Sequence, residues 1–159
     1  MTLDRARQAF AVYFRPRLLL ILVLGFASGL PLLLTSSTLS IRLRESGVDL
    51  AAIGALSLVG IPYSLKFLWA PLLDRLPFPG LTARMGRRRG WMLAIHLALI
   101  AAIAGLGAID PGVPAVAGQV GGETGAILVI AGFALLVAFL SATQDIAIDA
   151  YRVEVLTEA

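Results

Sequence analysis

Apolar residues in this chain come in long unbroken runs, not in the alternating or two-faced patterns of a water-soluble fold. Leu18 to Ile41 carries no charged residue, and at about 1.5 Å of helical rise per residue it is roughly 36 Å long, more than the ~30 Å hydrocarbon core of a bilayer. Leu50 to Leu73 holds one charge, Lys66. Trp91 to Ile109 holds none and carries the lone histidine, His96. The last run, Ala126 to Ile148, has Asp145 near its end and is followed at once by Asp149, Tyr151 and Arg152. The pattern predicts four transmembrane helices, over 18–41, 50–73, 91–109 and 126–148, behind a tail of residues 1–17. The first run exceeds the ~7 to 15 apolar residues of a signal-peptide core, so it is expected to be retained.

Composition agrees: of 159 residues 58% are hydrophobic and 14% charged, with a mean hydropathy of +0.89. The fold class is therefore an all-α membrane protein, with membrane lipid as its solvent and partner. The absence of cysteine excludes disulfides, thiolate metal sites and cysteine nucleophiles, and one histidine makes no metal cluster, so neither cofactor nor metal is expected. The net charge of +3 and pI near 10.0 do not point to nucleic acid, because the basic residues flank apolar runs and there set orientation. Arg5, Arg7, Arg15 and Arg17 in the tail, Arg75, Arg84, Arg87, Arg88 and Arg89 between the second and third runs, and Arg152 all fall on one side. Arg42 and Arg44 fall on the other, so the amino terminus is expected in the cytoplasm. Pro111, Gly112, Pro114, Gly118, Gly121 and Gly122 make the opposite loop turn-rich. One membrane domain is expected, and its ending at Leu156 to Ala159, where Thr157 reads as the cap of a helix to come, reads as an amino-terminal fragment.

Membrane helices associate through small residues. Gly25 and Gly29 have that spacing, and Ala94, Ala98, Ala102 and Gly105 define one face of the third helix. These serve either plain packing or a sliding surface. Pro31 and Pro62 leave the carbonyls of Ala27 and Leu58 without their helical partners, which predicts a static kink or a hinge at each. Thr35, Ser36, Ser37, Thr38 and Ser40 either bond back to the preceding turn or line a polar path.

A charge in the bilayer centre costs about 2.5–3.5 kcal/mol, while each Leu, Ile, Val or Phe returns about 0.3–0.6. The second run therefore inserts in spite of Lys66. Its ammonium either snorkels to the surface or is paired. Helical side chains lean toward the amino terminus, here back toward the midplane, which favours pairing. Asp145 and Asp149 are one turn apart, on one face with Ser141 and Arg152. Asp145 falls within about a turn of the depth of Lys66, so a Lys66–Asp145 pair is geometrically allowed, with Asp149 taking Arg152 or a loop arginine. A carboxylate that gains a proton when desolvated and loses it when the lysine approaches would couple proton and solute movement. His96 is read as a neutral ring bonded to a neighbouring helix, with a proton relay as the alternative.

The loop Ala70-Pro71-Leu72-Leu73-Asp74-Arg75, resumed by Arg84 to Arg89, resembles the signature between the second and third helices of major facilitator transporters, with alanine for its first glycine and an insertion splitting the halves. More specific are Gly25 to Pro31, Tyr63 to Pro71, Gly86 to Trp91 and Ala142 to Tyr151, which resemble the AmpG-type anhydromuropeptide permeases over nearly the whole chain. The resemblance implies about four helices from the amino-terminal bundle of a two-bundle, proton-driven permease of the bacterial inner membrane. Its solute would be a small glycopeptide, N-acetylglucosaminyl-1,6-anhydromuramic acid and its peptides, imported with protons for wall recycling. It also implies a cytoplasmic gating loop of Asp74, Arg75, Gly86, Arg87 and Arg88, with Asp149 as a carboxylate partner. Related acetyl-CoA carriers share the superfamily, and the missing carboxyl-terminal helices are the partner that alternating access requires.

The expected function is thus a proton-coupled secondary transporter, with Lys66, Gln144, Asp145, Tyr63 and Ser36 on the solute or proton path. The rival from another class is a non-transporting interaction or sensor subunit whose ion pairs only fix helix register. Proton-dependent accumulation of solute separates the two. No pairing of nucleophile with base, or of metal ligands, is visible, so the chain is not read as an enzyme.

Overall fold

A computed structural model describes residues 14, 16–77, 80, 85–109 and 123–157. Arg5, Arg7, Arg15, Arg84, the loop 110–122 and residues 158–159 lie outside the described residues. The regular structure described is entirely helical, and four helices are long and apolar enough to cross a membrane. Span one is Leu18–Glu45, span two Leu50–Leu68, span three Arg87–Ala108 and span four Ile127–Glu154, the last within a 35-residue helix, Glu123–Thr157. A short helix, Ala70–Arg75, follows span two.

Two spans change helical pitch where their prolines sit. After Pro31, span one opens into a π turn over Leu34–Thr38, in which the Leu39 amide donates to the Leu34 carbonyl. Hydroxyls close this stretch: Thr35 donates to the Pro31 carbonyl at 2.9 Å, Ser36 to Leu32 at 2.6 Å and Ser37 to Leu33 at 2.8 Å. Span two tightens to a 3₁₀ turn over Leu56–Gly60, just before Pro62. The Leu58 carbonyl, which the proline ring cannot serve, accepts instead from the Ile61 amide. Each break thus supplies substitute partners for the backbone, as burial away from water demands.

Span four is the hub. Of its most apolar stretch 44% is buried, against 6% for span two. Leu99, Ala102 and Leu106 of span three interleave with Ile130, Ala134 and Val137 of span four, and Leu39, Leu43 and Val59 complete this cluster. A second cluster joins Leu73, Ile95, Ile146 and Ala147, flanked by Trp69 and Trp91. Phe67, Leu68, Leu58 and Leu128 remain exposed, as residues facing lipid or further helices do.

Several boundaries and faces differ from expectation. Span two does not run unbroken to Leu73, because a turn at Trp69 separates it from Ala70–Arg75. The last helix passes Ile148 and runs to Thr157, the last residue described. Gly105 does admit a neighbour, since a methyl group there would lie 2.5 Å from the Phe133 ring, but the buried face of span three is Gly90, Ile95, Leu99, Ala102 and Leu106, with Ala98 outside it. Gly25 and Gly29 do not act as a pair. Gly25 makes room for the Arg152 guanidinium, whereas Gly29 faces open space.

Candidate functional site

Lys66 stands where span two passes from the α turn Ile61–Leu65 into the 3₁₀ turn Lys66–Leu68. Its ammonium lies 3.3 Å from Asp145 Oδ2 and 3.9 Å from Asp149 Oδ2. Asp145 and Asp149, one turn apart on span four, present one carboxylate edge to one lysine. Asp149 turns its other oxygen to Arg152 at 3.4 Å. The Arg152 guanidinium rests against Gly25, where an added methyl would lie 2.5 Å from Nη2 and the flexible arginine end would have to shift. A chain of alternating charge therefore runs from span two along span four, and its last member packs on the backbone of span one. The Lys66 side chain is 34% exposed and that of Asp145 26%, so the lysine is neither free at the surface nor sealed away.

The next turns of span four carry uncharged polar groups. Ser141 and Gln144 are buried, and Gln144 faces span three, not the lysine: its Nε2 lies 3.0 Å from His96 Nε2. His96 Nδ1 in turn lies 2.7 Å from the Met92 carbonyl, so both ring nitrogens have a polar neighbour. The Tyr63 hydroxyl, one turn before Lys66, is buried facing Ser141 of span four, and Gln144 Oε1 is buried without a hydrogen-bond partner among the described residues. Below them Trp69 Nε1 donates to Thr143 Oγ1 at 3.2 Å, and its ring lies 5.0 Å from that of Phe139.

A second charge cluster closes the same end of the molecule. Arg88 reaches Asp74 Oδ1 at 3.0 Å through Nη1 and Glu154 through Nε, a two-sided use of the guanidinium that lysine cannot reproduce. Among the described residues the ion pairs of Asp149 are to Lys66 and Arg152, and not to the loop arginines that the resemblance had implied. Glu154 takes that place because span four continues one and a half turns past Asp149. Sequence reasoning stopped this helix where hydropathy fell, although no glycine or proline follows Gly132 to end it. Gly86 starts span three at φ 84° and ψ 162°, a conformation available essentially to glycine alone. Arg87 and Arg89 line a cavity of about 350 Å³ with Tyr151 and Glu154. Arg75 is exposed at the end of the short helix.

The opposite end has a different chemistry. Arg42 donates to the carbonyls of Leu106 and Gly107 at 3.3 Å each and of Ile109 at 2.6 Å, capping span three. Ser36 bonds back to Leu32 while lining a crevice of about 190 Å³ with Thr35, Ser40 and Ser57, between spans one and two. An apolar groove of about 720 Å³ separates spans two and four.

Four apolar spans with ion pairs set between them fit a membrane permease and a non-transporting membrane subunit alike, and comparison with known proteins supplies the family. A family profile described as acetyl-coenzyme A transporter 1 matches residues 17–159. The chain is 43% identical over 149 residues to the anhydromuropeptide permease of Escherichia coli K12, covering 94% of this chain and 27% of that protein. It is 33% identical over 138 residues to the putative transporter AmpG 4 of Rickettsia felis, covering 87% of the chain and 30% of the relative. The chain belongs to the AmpG-type permease family of the major facilitator superfamily. It spans less than a third of the length of the curated relatives named here.

Proposed function

We propose that this segment is the proton-coupling part of a secondary transporter that imports anhydromuropeptides, N-acetylglucosaminyl-1,6-anhydromuramic acid and its peptides, across the bacterial inner membrane. The remaining helices come from the rest of the permease, and the amino terminus and the Asp74–Arg88–Glu154 cluster face the cytoplasm. The observation that carries the reading is the contact of Lys66 with two carboxylates one turn apart. One lysine satisfies both only in part, so protonating either carboxyl, or withdrawing the ammonium, changes the balance of the whole chain. Tyr63, one turn before Lys66, and Gln144, next to Asp145 in sequence but bonded toward span three, belong to the solute path on this reading, with Ser36 in the crevice of span one. Asp74, Arg75, Gly86, Arg87 and Arg88 form the gating loop, with Glu154 as its third charged anchor.

The test is uptake of the anhydro-disaccharide into right-side-out vesicles carrying the permease, with and without an imposed proton gradient. Gradient-driven uptake abolished by Lys66→Ala and by Asp145→Asn is the expected result; undiminished proton-dependent uptake in both variants removes these residues from coupling. A second reading, a carrier of acetyl-CoA, is favoured by the description of the matching family profile. Uptake of acetyl-CoA and not of the disaccharide by the same vesicles would select it.

A further inference from the structure

The cavity at the start of span three has both room and unspent charge. Arg87, Arg88 and Arg89 line its roughly 350 Å³ together with Tyr151 and Glu154, a volume within the range of small-molecule sites, about 300–1,000 Å³. The two carboxylates at hand, Asp74 and Glu154, are both bonded to Arg88. Arg87 and Arg89 are exposed and make no ion pair among the described residues. The cavity therefore keeps an excess of positive charge that suits an anion. What lies beside it narrows the kind of anion. Arg89, Leu93 and Leu97 follow one another a turn apart on one helix face, and all three are exposed. A guanidinium thus stands at the head of an apolar strip that descends a membrane span. Trp91, whose Nε1 donates to the Leu76 carbonyl at 2.8 Å, and Tyr151 flank the arginines with the aromatic rings that collect at a membrane–water boundary.

We propose that this cavity holds the phosphodiester headgroup of an anionic phospholipid, drawn from the leaflet at the Asp74–Arg88–Glu154 end of the bundle. Arg87 and Arg89 bind the phosphate oxygens, and one acyl chain lies along Leu93 and Leu97. Charge alone would admit a free phosphate as readily, but the strip below Arg89 favours a ligand that carries a tail. A zwitterionic lipid would bring its own cation to a site that is already positive, so the anionic lipid is preferred. The binding involves neither solute nor proton and does not rest on the transport reading.

The test takes the whole permease that contains this segment, purified in detergent and offered equal amounts of phosphatidylglycerol and phosphatidylcholine with the same acyl chains. Bound lipid is counted by native mass spectrometry. The unaltered protein is expected to retain phosphatidylglycerol in preference. Arg89→Gln is expected to weaken that binding about 10-fold, the worth of one charged hydrogen-bonded contact, and the double variant Arg87→Gln with Arg89→Gln to weaken it further. Arg44→Gln removes the same charge from an exposed arginine at the opposite end and is expected to change nothing. Equal retention of the two lipids by the unaltered protein overturns the proposal without recourse to any variant; it is the result expected if carboxylates on the remaining helices cover these arginines. Unchanged retention in Arg89→Gln, or an equal loss in Arg44→Gln, overturns the site. Excess inorganic phosphate is expected to leave the lipid in place, and its displacement would give the arginines to a soluble anion and overturn the lipid assignment.

Discussion

The two ends of the helix bundle hold their arginines in opposite ways. At one end Arg88 and Arg152 bond to carboxylates carried on side chains, beside the paired Lys66. At the other, Arg42 bonds to three backbone carbonyls at the terminus of span three. A carboxylate can be neutralised by a proton or carried away on a moving helix, whereas a terminal carbonyl has no second charge state and moves only with its own helix. The first end is built from exchangeable contacts and the second from a permanent one. On the transport reading proposed above, the fixed cap would keep spans one and three together while the ion pairs at the far end exchanged partners.

The largest effect that would break this comparison is expected at the Lys66–Asp145 pair. An uncompensated charge in an apolar span costs about 2.5–3.5 kcal/mol, less where water has access, so either single neutralisation is expected to lower gradient-driven uptake about 10-fold or more. The exchanged pair Lys66→Asp with Asp145→Lys is expected to recover part of it, since the attraction survives the swap; an exchange no better than either single variant would deny that the pair acts as a pair. Arg88→Ala comes next. It strands Asp74 and Glu154 together and is expected to destabilise the bundle by about 1–3 kcal/mol, read as a lowered Tm in detergent. Arg88→Lys should recover little, because a single ammonium does not reproduce the fork that reaches both acids.

Arg42→Ala is expected to cost about 1 kcal/mol, of the order of a lost helix cap and its favourable dipole contact. Its uptake per folded molecule should stay unchanged; a loss of proton dependence there would erase the contrast between the ends. The smallest effect is expected at Gly29, where nothing lies within reach of an added methyl. Gly29→Ala should stabilise by up to about 1 kcal/mol through helix propensity. At Gly105 the same change meets the Phe133 ring at 2.5 Å and should destabilise by about 1–3 kcal/mol. Equal melting temperatures for the two variants would contradict the packing described.

Depth along the membrane was legible in the sequence, and rotation about each helix axis was not. Hydropathy located the four spans, and counting residues from their ends brought Lys66 to the level of Asp145. Which face of span three turns inward could not be read the same way. Its exposed side, with Leu93, Leu97 and Ile100, is as apolar as its buried side, with Ile95, Leu99 and Leu106, so periodicity carries no contrast to decode. Small residues misled for the same reason: Ala98 fits a helix contact by size and sits outside one. Glu154 was missed because falling hydropathy marks where the membrane ends, whereas only glycine, proline or a cap marks where a helix ends. The bond between His96 and Gln144 joins residues far apart in sequence and depends on the rotation of both helices.

The wide turn at Leu34–Thr38 works as a phase adjuster. Every residue of a regular α-helix advances the side-chain direction by about 100°, so the extra residue taken up there resets the heading of everything from Leu39 to Glu45. Leu39 and Leu43 point into the bundle on that heading, and so does the guanidinium that clasps the end of span three. Deleting one residue from this turn would restore an ideal helix and swing Arg42 away from its carbonyls, undoing a bond that lies a full turn beyond the deletion.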